Sequence, residues 1–110
     1  MNYGIPLETL PPLVREFASY KSAIQNASAK TVSEYLLDLR TFFRFLLARD
    51  QKISPDSEDF EKIDISGVDL DYIKNITTED IYEFLLYTDR VRGNMASAKA
   101  RKLSAIKGFF

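Results

Sequence analysis

Five polar side chains on one stretch define the chemistry open to this chain. Lys30, Ser33, Arg40, Thr41 and Arg44 share one side of a helical wheel, with Leu37 among them. A second group, Ser97, Arg101, Ser104 and Gly108, shares a side near the end of the sequence, with Ala98 and Ala105 at its edges. Both sides carry cations and hydroxyls and no acids. That is chemistry for holding an anion without bonding to it. Groups for covalent chemistry are scarce. The chain has no His and no Cys, which removes the commonest general base, the commonest metal ligand and any thiol. Its six Tyr have no activating constellation, and packing accounts for Tyr35 and Tyr82. Asp56, Glu58, Asp59 and Glu61 lack the ligand spacing and the glycine of a calcium loop, so neither a metal nor a cofactor is expected.

The charge is unevenly spread. The total over 110 residues is −1, but residues 1–49 carry net +2, 50–89 net −9 and 90–110 net +6. Such an asymmetry points to a charged partner at one end of a single domain. No apolar run approaches the roughly 20 residues that span a bilayer, and the first ten residues lack the pattern of a signal peptide. No membrane or small-molecule partner is expected, and a cytoplasmic location is.

These side chains need helices to carry them. The stretch 30–49 contains neither Gly nor Pro. Val32, Tyr35, Leu36, Leu39, Phe42, Phe43 and Leu46 fall opposite its basic side, as an apolar stripe that must be buried, with Glu34 and Asp38 on a flank. Ser28 is placed to cap this helix, and the N–H groups of such a terminus attract phosphate. Upstream, residues 1–9 read as a flexible arm. Pro11 and Pro12 open a helix through about Gln25 whose inner face is Leu13, Val14, Phe17, Tyr20 and Ile24. Residues 50–75, with eight acids, read as a long acidic connection, in which Val68, Leu70, Tyr72 and Ile73 suggest a short helical turn. Thr77 with Asp80, or Thr78 alone, caps the next helix, with Ile81, Phe84, Leu85 and Thr88 inward and a stop near Val91 before Gly93. A last helix runs from Asn94 to Phe110, with Met95, Lys99, Leu103, Ile106, Phe109 and Phe110 on its other side. Each basic face alone is explained as an ordinary solvated surface. Two such faces, each after a small polar break, favour a paired surface that clamps a polyanion.

At this point the residues resemble a known family. Ser28-x-x-Thr31-x-x-x-Tyr35-x-x-Asp38-Leu39-x-x-Phe42-x-x-Phe45-Leu46 looks like the first signature of the core-binding domain of tyrosine recombinases, the phage-integrase and Xer-like proteins. Ile76-Thr77-x-x-Asp80-Ile81-x-x-Phe84-Leu85, followed by the stretch from Arg101 to Phe110, looks like the second. The resemblance covers nearly the whole chain from Leu10 onward. It implies an all-α domain (residues 10–110), a SAM-like bundle of four to five helices in two crossed pairs. Such a domain lies on one side of duplex DNA while a separate catalytic domain closes the clamp. The positions matching the DNA-facing ones of the family are Thr31, Ser33, Arg40, Arg92, Ser97 and Arg101. Lys30, Arg44, Asn94 and Lys102 join them from charge and position. By chemistry, Arg40, Arg44 and Arg92 suit phosphates, while Ser97 and Arg101 suit base edges.

The sequence departs from the family where Ser and Thr often open the last helix and this chain has Met95 and Ala98. The family's nucleophilic Tyr, with its Arg, Lys and His partners, belongs to the following domain. The resemblance therefore implies a non-catalytic piece of a longer recombinase, with DNA and other recombinase protomers as partners. The competing expectation is a helical protein–protein interaction module using exposed Leu37, Leu86 or Phe110.

Overall fold

The computed structural model describes residues 5–54 and 57–91, and within that range every regular element is helical. Helix α1 is Pro12–Ala23, α2 is Ala29–Gln51, α3 is Leu70–Lys74 and α4 is Thr78–Val91. Two short 3₁₀ segments accompany them, Leu7–Thr9 ahead of α1 and Glu58–Lys62 between α2 and α3. The expected all-α class therefore holds for the described residues. The expected helix from Asn94 lies outside them.

Helix α2 is the axis of the molecule, because α1, α4 and the second 3₁₀ segment all pack on it. Its stripe is buried as the spacing demands: Val32, Leu36, Leu39, Phe42, Phe43 and Leu46 are closed from solvent and Tyr35 is half-buried. The Ser28 side chain caps it, accepting from the Thr31 N–H at 3.1 Å. At the far end Lys52 adopts a left-handed conformation (φ 60°), and its N–H returns to Ala48 and Arg49. Aromatic rings weld α4 to α2. Phe84 meets Phe42 edge-on at 5.1 Å, and Tyr87 stacks on Phe45 at 5.0 Å. Tyr87 was not among the expected inward residues of α4, whereas Phe84 and Thr88 were and are fully buried.

Four expectations are corrected. Tyr20 and Ile24, assigned to the inner face of α1, are exposed, Ile24 by 67%. The helix ends at Ala23 with Ile24 as its C-terminal cap, and the chain turns at Asn26 (φ 54°). Ala18 is buried in their place. Part of the expected arm is packed, since Ile5 is a core residue. The acidic connection is not simply a solvated tether. Phe60, Ile63, Ile65, Val68 and Ile73 are all buried, so these apolar residues form one wall of the core while the described acids of the connection are exposed. Asp38, placed on a flank, is only 3% exposed. The short turn expected around residues 68–73 is α3, capped by Asp69, which accepts from the Tyr72 N–H at 2.9 Å.

Helix α4 opens on a reciprocal pair. The Thr77 N–H donates to Asp80 at 2.8 Å and the Asp80 N–H donates to Thr77 Oγ1 at 3.2 Å. The same carboxylate accepts from Arg49 at 2.7 Å, and Arg49 also reaches Glu83 at 3.0 Å. Burial alone would raise the Asp80 pKa. The Thr77 amide and Arg49 outweigh it and hold the carboxyl below its ordinary value. A depressed folded-state pKa stabilises the fold above the unfolded value of about 3.9 and loses that contribution as pH falls through the folded pKa. Asp80→Ala is therefore expected to cost about 1–2 kcal/mol at pH 7, and its deficit against wild type should shrink at pH 3. Urea unfolding at the two pH values checks this. A deficit that is the same at both would mean that the carboxylate's charge contributes nothing.

Candidate functional site

The ten expected site residues fall into three groups. Arg92, Asn94, Ser97, Arg101 and Lys102 lie outside the described residues, so the pairing of two basic helices lies outside them as well. Lys30, Thr31 and Ser33 sit in the first turns of α2. Lys30 is exposed, and Thr31 and Ser33 are half-buried. Thr31 is tied into the cap, its Oγ1 accepting from the Ser28 hydroxyl at 3.0 Å. The start of α2 thus presents a cation and a small hydroxyl-rich surface beside a fixed helix terminus.

Arg40 and Arg44 form the third group, about 15–21 Å further along the helix at 1.5 Å per residue. The expectation for them was an outward, acid-free face, and here the structure corrects the wheel. The burial of Phe60, Ile63 and Ile65 draws residues 58–66 across this part of α2. Glu61 is thereby brought onto Arg44, with Nη1 to Oε2 at 2.8 Å. The Arg44 side chain is only 15% exposed, while that of Glu61 is 67% exposed. Arg40 is half-buried one turn away. Burial, and then the positive charge of Arg44, hold the Arg40 pKa below its ordinary value, with Glu61 acting in the opposite sense. The two arginines line a groove of about 440 Å³ between α2, the connection and the first 3₁₀ segment. Thr9, Glu61 and Ser66 are also part of its lining. Sequence reasoning treated the acidic connection as separate from the basic face and so missed these residues. The signal was present in Phe60, Ile63 and Ile65, three apolar residues at short spacing within an acidic run.

The groove sets the guanidiniums of Arg40 and Arg44 beside the carboxylates of Glu8, Glu61 and Asp64. The hydroxyl of Tyr72, a half-buried residue of the connection, donates to Asp50 at 3.0 Å. Burial first, and then Asp50, push its pKa up, so it is a poor nucleophile. Tyr82, exposed on α4, was explained by packing, yet it is 60% open to solvent. Leu37 and Leu86 are exposed, as the competing expectation required.

Comparison with known proteins bears on the whole chain. No family model matches it, and no solved structure does. It is 39% identical over 100 residues to the tyrosine recombinase XerC of Caldanaerobacter subterraneus subsp. tengcongensis. The match covers 91% of this chain and 28% of that protein, so the chain spans little more than a quarter of its relative's length. Both recombinase signatures read from the sequence lie in a chain that is matched almost throughout. This chain is therefore similar, over most of its length, to the N-terminal part of a tyrosine recombinase.

Proposed function

We propose that this chain is the DNA-binding part of a site-specific tyrosine recombinase. It grips one side of duplex DNA, while strand cutting and joining belong to the rest of the parent protein. The observation that carries this reading is the 39% identity to a tyrosine recombinase across 91% of the chain. It is supported by the exposed Lys30 beside half-buried Thr31 and Ser33 at the capped start of α2 and by the net +6 of residues 90–110. In this reading Lys30, Thr31 and Ser33 meet the phosphate backbone at one end. Arg92, Asn94, Ser97, Arg101 and Lys102 supply the other. Arg40 and Arg44 act only where the connection leaves them accessible. The protein works in the cytoplasm, beside other recombinase protomers on the same DNA.

Fluorescence anisotropy of a labelled duplex titrated with the whole chain tests this. Saturable binding is expected, and Lys30→Ala is expected to weaken it by about 2–5-fold with unfolding unchanged. No binding at millimolar protein would overturn the reading. The alternative, a helical protein–protein module, rests on exposed Leu37, Tyr82 and Leu86. It predicts an association that added salt does not weaken.

A further inference from the structure

We propose that Arg40 and Arg44 form a seat for one phosphate-class oxyanion, and that Glu61 is its built-in competitor. Three observations support this independently of any DNA partner. The first concerns hydrogen bonding. Nε of Arg40 and Nε of Arg44 are both closed from solvent, and neither has an acceptor among the described residues. Buried donors on charged groups are normally satisfied, and these two adjacent exceptions come within reach of an anion only when the side chains covering them move. The second concerns charge. The two guanidiniums sit four residues apart on one helix face, where like charges repel. A single carboxylate, Glu61, is bonded to one of them. Glu8, Lys62 and Asp64 also line the groove, but all three are exposed and act through water. Asp64 is already engaged, accepting from the Ser66 N–H at 2.9 Å. The third concerns space. The groove is open to solvent and large enough for a tetrahedral anion, while the Thr9 hydroxyl in its lining is already spent on the Pro6 carbonyl at 2.6 Å.

Glu61 makes this a competition. Its side chain is mostly in water and is held by one contact, so it exchanges easily. While it holds Nη1 of Arg44, an incoming oxyanion meets one guanidinium and one acid. Once it swings away, the anion meets two guanidiniums, and the edge of Arg44 is free for a forked pair. The seat thus binds weakly at rest and more tightly when the carboxylate is removed.

The phosphate can come from a nucleic-acid backbone or from solution, and the test separates the two. Arginine Nε–Hε signals of the whole chain are followed by NMR during titration with inorganic phosphate at constant ionic strength. The expected result is a saturable shift of the Arg40 and Arg44 signals that leaves Arg15 and Arg49 in place. Glu61→Gln is expected to tighten phosphate binding about 2–5-fold, the worth of a partly exposed ion pair. Arg40→Lys, which keeps the charge but loses the fork, should weaken it. Uniform shifts of all arginines, or no change on Glu61→Gln, would overturn the proposal. A short duplex is added in a second arm. If it moves the same two signals and competes with phosphate, the backbone is the source. If phosphate binds there and the duplex does not, the seat stands and the recombinase reading loses Arg40 and Arg44.

Discussion

Replacing Phe42 with alanine is expected to destabilise the protein by about 3–5 kcal/mol. The ring is fully buried in the middle of α2. It lies 5.5 Å from Phe43 and 5.1 Å from Phe84, the residue that seats α4. Removing it takes away the apolar transfer energy of a whole ring. It also leaves a cavity that neighbours on two helices cannot both collapse into, because α4 is fixed independently by Phe45 against Tyr87 and by Arg49 against Asp80. Denaturant unfolding measures the loss. Against a typical domain stability of about 5–15 kcal/mol, a change of this size takes away a large share of the total. Tyr82→Ala, on the exposed side of α4, is the control and should stay within about 0.5 kcal/mol. A Phe42 variant no worse than the control would mean that α2 and α4 do not share this ring.

Raising salt from 50 to 200 mM is expected to weaken duplex binding by about a hundredfold, if about four phosphates are neutralised. The argument is one of counterions: each cation seated on a phosphate releases a condensed ion, with a slope near 0.9 per contact in log–log form. The effect should be steep despite the overall charge of −1, because the acids are concentrated in residues 50–89 and the cations at either side of them. Removing Lys30 should lower the slope by about one. A flat salt profile would instead favour the apolar reading of Leu37 and Leu86. Glu61→Gln is informative here too, since it removes the carboxylate bonded to Arg44 while leaving every residue of α2 unchanged.

Most of the architecture was legible because it rests on local periodicity. The stripe from Val32 to Leu46, the Ser28 cap and the Thr77–Asp80 pair each depend on residues within one or two turns of one another. Physical rules at that range act the same way in any fold. The failures have a common cause. Tyr20 and Ile24 share the spacing of Val14 and Phe17, but spacing does not say where α2 stops offering a partner. Arg40 and Arg44 share a side with Lys30, but a wheel knows nothing of a chain that folds back over it.

The sequence by itself determined a helical periodicity, the lack of His and Cys, and the separation of cations and acids into blocks. It also carried the recombinase signatures. Only the tertiary structure decided that the acidic block lies against part of the basic face, joining Glu61 to Arg44 and closing a groove over Arg40. The reason is that Phe60, Ile63 and Ile65 must leave water. The surface they can reach is α2, and the charges between them are carried along.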